Sequence, residues 1–132
     1  MSLLCPDVGE VLLLKYALNH TVATNVKLHL YTNDYTPVEG STISNFTECT
    51  ASGYAAITLT GSSFTVSTAA GVTTAEYAQQ TFTLTGASTD YGYYITDNAG
   101  TQVLWAERFS DAPHSIPSGG GTEKVTVKIT LE

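Results

Sequence analysis

Near the end of the chain, the segment Asp111-Ala112-Pro113-His114 places a carboxylate three positions before an imidazole. A carboxylate that orients a histidine is a common arrangement for general acid–base catalysis. The chain contains no Gly-x-Ser-x-Gly elbow that would add a nucleophile, and the intervening proline fixes φ as a turn requires. The segment is therefore predicted to be a turn with a solvated histidine rather than a catalytic dyad.

Two glycine-containing segments share part of the pattern of ligand-binding loops. Asp97-Asn98-Ala99-Gly100 begins like a calcium loop, but the later ligands and the distal glutamate are missing. It is predicted to be a hairpin turn with Gly100 at positive φ. Gly119-Gly120-Gly121-Thr122-Glu123-Lys124 lacks the Gly-Lys-Ser/Thr ending of a phosphate loop and is predicted to lead into a strand. We expect no catalytic residue, no metal and no cofactor.

The charges of the chain exclude two classes of partner. Twelve acidic and five basic residues give a net charge of −7, and seven carboxylates but no cation lie between Lys27 and Arg108. Nucleic acids and anionic membranes are bound through clustered Lys and Arg. Both partners are therefore excluded. A sugar hydrolase needs two suitably spaced carboxylates in a cleft, and the sequence does not show how the seven are spaced in the fold.

The remaining composition favours strands and association. The chain has 22 threonines and eight tyrosines, and these residue types suit a pleated, half-buried surface. Tyrosine also provides large contact area at interfaces and in carbohydrate sites. Tyrosines exposed for association and tyrosines half-buried in strands are both compatible with this composition.

Two cysteines, Cys5 and Cys49, are too few for a disulfide framework or a complete structural zinc site. The favoured interpretation is two separate thiols, buried or partly buried. Whether they form a disulfide with each other stays open. The segment around Cys5 has no basic start, and Asp7 and Glu10 interrupt its apolar run. We therefore expect synthesis in a reducing cytoplasm.

Residues 1–20 are predicted to form an N-terminal arm and a short α-helix. Asp7 is the expected cap, with Glu10 completing a capping box. Val11, Leu14 and Leu18 form an apolar stripe at helical spacing, which Leu13 and Ala17 widen, and Asn19 or His20 ends the helix. The helix is expected either to cover one end of a sheet or to dock on a neighbouring molecule.

From Val26 onward the apolar period changes from that of a helix to the period of two typical of strands. Val26, Leu28 and Leu30 are predicted to face inward and His29 outward. Gly61-Ser62 is predicted to be a hairpin turn. Short strands separated by turn signals predict an all-β domain, a single jelly-roll-like β-sandwich over 25–132 within one domain of 132 residues. The predicted strands are Val26–Tyr31, Tyr54–Leu59, Phe64–Ser67, Thr81–Leu84, Tyr91–Thr96, Val103–Phe109 and Lys124–Leu131, the last with Val125, Val127, Ile129 and Leu131 inward.

Several segments together resemble a known class of protein: the helix start Val8-Gly9-Glu10, the strand start Gly53-Tyr54-Ala55, and the aromatic pair Tyr91–Thr96 and Val103–Ala106. This order, closing on a glycine-rich entry to an alternating strand, resembles small structural proteins of tailed bacteriophages. Some of these are capsid cement (decoration) proteins and others are tail-fibre-like. The resemblance implies a β-sandwich on the virion surface that forms homo-oligomers, often trimers, and has no catalytic residues.

The leading hypothesis is therefore a non-enzymatic cement protein whose partner is the major capsid protein. Its expected contacts are Leu3 and Leu4 in the arm, the loop Tyr35-Thr36-Pro37, and the Asp111–Ser115 turn with His114. The alternative is a module of a tail or head fibre that binds a host receptor or glycan through exposed tyrosines.

Overall fold

The computed structural model describes residues 3–131 and is mostly β, with one α-helix near the start of the chain. The helix α1 spans Asp7–Ala17, and single 3-10 turns span Ile43–Asn45 and Gly61–Ser63. The strands are β1 Val26–Tyr31, β2 Ile57–Leu59, β3 Thr65–Ala69, β4 Val72–Glu76, β5 Gln80–Leu84, β6 Ser88–Asp90, β7 Gly92–Asp97, β8 Val103–Arg108, β9 His114–Ile116, β10 Gly121–Val125 and β11 Lys128–Leu131.

All strand pairs are antiparallel, and the strands are divided among four sheets. The largest sheet has the order β2-β1-β7-β8, the next has the order β11-β4-β3, and β10-β5 and β6-β9 form two-stranded sheets. The prediction of a mostly β fold with a short N-terminal helix is confirmed.

The largest sheet is buried on both faces. On one face Leu28, Leu30 and Ile95 pack with side chains of β5 and β10, including Phe82, to form the main core. On the other face a smaller cluster of aromatic and small side chains is covered by the segment 32–48; it comprises Tyr31, Phe46, Tyr94, Val103 and Ala106. The inward direction of Leu28 and Leu30 is confirmed, but the outward direction predicted for His29 is wrong, because this second layer buries it.

The predicted hairpin around Gly61-Ser62 is wrong. The 3-10 turn at Gly61–Ser63 carries the chain from one sheet to another, so that β2 pairs with β1 and β3 pairs with β4. The hairpin in this region lies instead between β3 and β4, where Ala70 and Gly71 have φ of 52° and 83°. Two consecutive residues at positive φ match the twist of a tight hairpin. All five residues of β3 are exposed, and within residues 3–131 only β4 pairs with it.

The predicted final strand is two strands. β10 pairs with β5, whereas β11 pairs with β4 in a different sheet, and buried Val127 lies at the change of partner. The inward positions of Val125 and Val127 are confirmed. Leu131 is 72% exposed, so its predicted inward position is wrong. Ile129 of β11 is half-buried and still packs against the main core, so the alternation faces the core up to Ile129 and no further.

The helix begins one residue earlier than its predicted cap implies. Pro6 is the N-cap, in an extended conformation, and its carbonyl accepts from the N–H groups of Gly9 and Glu10. The backbone N–H of Asp7 donates to the carbonyl of Glu39 at 2.9 Å, and no side chain caps the helix. The predicted end is confirmed, because Asn19 adopts a φ of 54° just after the last turn.

The side of α1 that contacts the sheet is not the side that carries the apolar stripe. A Cβ built on Gly9 would lie 2.5 Å from the carbonyl oxygen of Leu104, so the helix backbone rests directly on β8. Gly9 and Leu12 are the buried positions of the helix. The stripe residues Val11, Leu14 and Leu18 are 53%, 63% and 77% exposed. The stripe therefore does not cover the sheet, and docking on a neighbour stays a prediction.

Candidate partner-binding surface

The N-terminal arm is held against the edge of the largest sheet. Leu4 forms a bridge with Ala106 of β8, in which each backbone N–H donates to the other's carbonyl, at 2.9 and 2.8 Å. Through this bridge the arm lies next to β8 at the edge of the sheet, paired with it at one residue. The arm is therefore fixed before the helix begins. The two predicted arm contacts, Leu3 and Leu4, are both half-buried.

The predicted contact loop is fixed to the same end of β8 by one arginine. The Arg108 Nη1 atom lies 2.6 Å from Asp34 Oδ1 and donates to the carbonyl of Tyr35 at 3.2 Å. The guanidinium carbon lies 5.1 Å from the centre of the Tyr91 ring, at the distance of a cation–π contact. The Tyr31 hydroxyl donates to the same Tyr35 carbonyl at 3.0 Å. The loop backbone therefore has two side-chain anchors.

The loop also has hydrogen bonds of its own. The Ser41 hydroxyl is buried, lies 2.7 Å from the Tyr35 hydroxyl, and accepts from the Val38 N–H at 2.9 Å. Further along, Asn33 accepts from the Thr47 N–H at 2.8 Å and so closes the base of the segment. A surface that is ordered before binding loses less conformational entropy when a partner arrives.

Arm, loop and strand together enclose a cleft of about 520 Å³. Three predicted contact residues line it: Leu3, Leu4 and Pro37. The carbonyl of Tyr35 is held by Arg108, which lines the cleft. Thr36, between Tyr35 and Pro37 on the loop, is exposed. The structure thus brings the arm and the loop into one surface, which the sequence had predicted only as separate segments.

The cleft is acidic. Glu10, Glu39 and Glu107 line it, while its one lining cation among the described residues, Arg108, is paired with Asp34. Cys5 also lines the cleft, and burial, followed by the nearby charge of Glu10, raises the pKa of its thiol to about 11. At neutral pH this thiol is protonated and is therefore a poor nucleophile. The surface suits a partner that presents basic and apolar groups.

The other predicted contacts, Asp111 and His114, belong to a separate cluster. His114 is the first residue of β9, and its two ring nitrogens lie 2.7 Å from Asp111 Oδ1 and 2.9 Å from Glu123 Oε2. Its ring stacks on Phe109, with centroids 4.3 Å apart. The prediction of a solvated turn histidine is therefore wrong for His114, because the neighbouring strand and Phe109 hold its side chain.

The charge of His114 is favoured by this arrangement. Burial lowers the pKa of its imidazole, but the hydrogen bonds and charges of Asp111 and Glu123 outweigh burial and raise the pKa above 6.5. Opposite His114 in the β6–β9 pair lies Asp90, which is fully buried and whose Oδ2 has no hydrogen-bond partner among the described residues. Burial raises the pKa of this carboxyl, although a hydrogen bond from Ser88 opposes the shift.

The Asp97 turn is explained by its own hydrogen bonds. Asp97 Oδ1 accepts from the N–H groups of Thr101 and Gln102 at 2.7 and 2.9 Å, and Oδ2 accepts from the Thr101 hydroxyl at 2.8 Å. Gly100 has a φ of 74°, as predicted. Burial raises the pKa of Asp97, but these hydrogen bonds together lower it below 3.8. Both carboxylate oxygens are therefore already engaged within the turn.

Sequence reasoning missed the network around His29. Its Nδ1 lies 2.8 Å from Glu48 Oε1 and its Nε2 lies 2.9 Å from the Thr96 hydroxyl. The Tyr54 hydroxyl donates to the same Glu48 oxygen at 2.9 Å. The one signal in the sequence was the polar, aromatic-containing segment 32–48 that follows β1, since it is long enough to cover the second face of the sheet.

The tyrosines do not form an exposed surface. All eight lie among the described residues, and none is exposed: Tyr31, Tyr93 and Tyr94 are buried and the others are half-buried. The prediction of exposed tyrosines is therefore wrong. The prediction of half-buried strand residues is also not met as stated, because the tyrosines in strands are buried and the half-buried ones lie in α1 or in loops. Cys5 and Cys49 are both free thiols, with Cys49 buried beside Ser88.

Within residues 3–131, no group of three or more His, Cys, Asp and Glu side chains is arranged to hold a metal ion. None of the helices in the same range has the length and apolar character needed to cross a membrane. No known protein family, curated protein or solved structure matches the chain.

Proposed function

We propose that this protein is a non-enzymatic structural component of a tailed-phage virion, a capsid cement protein that binds the major capsid protein and stabilises the shell. In this proposal the four sheets act as one jelly-roll-like sandwich. The arm and the loop of residues 33–41 form the contact surface at one end. The protein is made in the host cytoplasm and assembles with copies of itself on the capsid.

The observation that carries the proposal is the ordered cleft between the arm and the loop. Leu4 is fixed on β8 and the Tyr35 carbonyl is held by Arg108, so the two segments present a preformed surface. Apolar side chains of Leu3 and Pro37 lie beside carboxylates of Glu39 and Glu107 in this cleft. An apolar centre with a charged rim is the usual anatomy of a protein–protein contact.

The charge of the cleft indicates what the partner presents. Glu39 and Glu107 lie beside one arginine that is already paired, so complementarity favours a basic segment with apolar neighbours on the capsid. The resemblance of the sequence to phage cement and fibre proteins supports the same class of partner. Several titratable side chains of the described residues, His29 with Glu48 and His114 with Asp111 and Glu123, are engaged in local pairs, which supports a structural role.

The alternative is a tail- or head-fibre module that binds a host receptor or glycan. A glycan site of the expected kind needs aromatic side chains that a sugar can reach. None of the tyrosines is exposed, and Trp105 is half-buried against the main core. The cement proposal is therefore preferred.

Binding to purified capsids tests the proposal, with Glu39→Lys as the test variant and Glu76→Lys as the control. Both glutamates are exposed, but Glu39 lines the cleft and Glu76 lies in β4. Wild type and Glu76→Lys should bind capsids and raise their melting temperature. Glu39→Lys should bind at least about tenfold more weakly, as for a rim charge opposed to its partner. Binding to host cells without capsids, or only a handful of copies per virion, would overturn the proposal.

A further inference from the structure

The apolar stripe of α1 faces away from the sheet. Val11, Leu14 and Leu18 lie on the side away from β8 and are 53%, 63% and 77% exposed. Val22, beyond the last turn, lies instead beside Leu12 and Tyr16 and is not part of the stripe. The three stripe residues form a continuous apolar patch at helical spacing. Such patches on soluble domains commonly mark interaction sites.

The charges beside the stripe indicate what covers it. In a heptad pattern Val11 and Leu18 occupy a positions and Leu14 occupies the d position, which places Glu10 at g and Lys15 at the following e. Glu10 and Lys15 are both exposed. Neither is among the salt bridges formed within residues 3–131. When two such helices lie parallel, g of one faces the following e of the other, so Glu10 meets Lys15 of a second copy.

We propose that copies of this chain associate through α1, with their helices parallel around a rotation axis and the Val11–Leu14–Leu18 stripe at the centre. The contact from Val11 to Leu18 spans about one heptad, too short for a free-standing coiled coil. Gly9 holds each helix on its own sheet, so the domain supplies the helix already folded. This inference rests on the self-association in the proposed function and not on the capsid.

The parallel direction follows from the charges. A two-fold axis perpendicular to the helices would make them antiparallel. The side of the stripe that carries Glu10 would then face the same side of the other copy, and likewise for the side that carries Lys15. With Leu14 near its centre, that antiparallel arrangement sets Lys15 towards Lys15 and leaves Glu10 opposite the uncharged Ala17, so it forms no opposite-charge pair. A parallel arrangement pairs opposite charges on every flank and closes on itself around the axis.

The test is the oligomeric state of the purified full chain, measured by sedimentation with no capsid present. Wild type should associate at micromolar concentration. Leu14→Ser should weaken association at least about tenfold, as expected for the central apolar residue of an interface. Val66→Ser is the matched control, because Val66 is 65% exposed on β3 and lies outside the stripe. Circular dichroism should show unchanged folding in both variants.

Charge variants test the direction. Glu10→Lys alone and Lys15→Glu alone should each weaken association, and the double variant should restore it, because the exchanged charges still pair in parallel helices. Added salt should weaken wild-type association. A monomeric wild type, an assembly that Leu14→Ser leaves intact, or association that strengthens with salt would each overturn the inference. A monomer that still binds capsids would overturn it while leaving the proposed function standing.

Discussion

The imidazole of His29 lies almost parallel to the phenol ring of Tyr94, with ring centroids 4.7 Å apart and 10° between the planes. The Phe46 ring stacks on Tyr94 in turn, with centroids 4.8 Å apart. This stack joins β1, β7 and the 32–48 segment on the face of the sheet opposite the main core. The loop of residues 33–41, the proposed contact loop, is therefore supported by a packed aromatic layer and not by its own hydrogen bonds alone.

Replacing His29 by alanine should destabilise the protein by about 2–4 kcal/mol, because a buried side chain with two hydrogen bonds and an aromatic contact is lost. Thr96 and Glu48 lose their partner in the same change. Denaturant unfolding measures the effect. His20→Ala is the control: His20 is exposed, and its replacement should change the unfolding free energy by less than about 0.5 kcal/mol. Equal effects at the two positions would contradict the burial of His29.

Gly9→Ala should loosen the helix from the sheet. The new methyl group would lie 2.5 Å from the Leu104 carbonyl oxygen, so helix or strand must shift, at a cost of about 1–3 kcal/mol. Gly40→Ala is the control, because nothing lies within 4 Å of a Cβ built there. Thermal unfolding should separate the two variants, and faster proteolysis after the helix should accompany only the first. Identical melting temperatures would argue against docking through Gly9.

Stability should depend on pH through His114. Its folded pKa is raised above the ordinary value of 6.5, so the protonated ring is favoured in the folded state. Its contribution is therefore fully present below pH 6.5 and is lost as the pH rises through the folded pKa. In His114→Gln the unfolding free energy should vary less over that range than in wild type. His20→Gln should keep the wild-type profile, and an unchanged profile in His114→Gln would exclude the cluster as its source.

Ala70→Gly should stabilise the β3–β4 hairpin. Ala70 has a φ of 52°, a conformation that costs a residue with a side chain about 1 kcal/mol and costs glycine little. We expect a gain of about 0.5–1 kcal/mol in unfolding free energy. Ala99→Gly is the comparison in the β7–β8 turn, where φ is not positive and glycine should be destabilising or neutral. A loss of stability in Ala70→Gly would show that the hairpin turn is misplaced.

The parts of the fold that local patterns specify were predicted from the sequence. β1 and the β7–β8 hairpin follow from alternation and from a turn with Gly100 at positive φ. β4 was missed, because Val72–Glu76 carries threonine, alanine and glutamate in place of an alternating apolar set. One of its partners, β3, is the preceding strand of the same hairpin, but the other, β11, lies far along the chain, and only long-range pairing identifies it.

The candidate site shows the same division. Leu3, Leu4 and Pro37 were predicted as contacts, but the cleft that joins them depends on Arg108, which is distant in sequence from both segments. From the sequence, His29 is predicted to face solvent. The alternation of apolar and polar residues shows that the two faces of a strand differ in polarity, but it does not show whether other segments cover both faces. The helix stripe was recognised correctly as apolar. Gly9 decides which side of α1 faces the sheet. Because Gly9 has no side chain, the helix backbone can approach β8 most closely at this position.

The open side of β3 has a consequence for handling the purified protein. The strand Thr65–Ala69 contains neither a charged residue nor a proline, the usual devices that keep sheet edges from joining. Repulsion between molecules is then left to the net charge of −7. That repulsion vanishes near the isoelectric point, about pH 4.7. Acidic storage should therefore promote edge-to-edge precipitation, and mildly alkaline buffer should keep the solution clear.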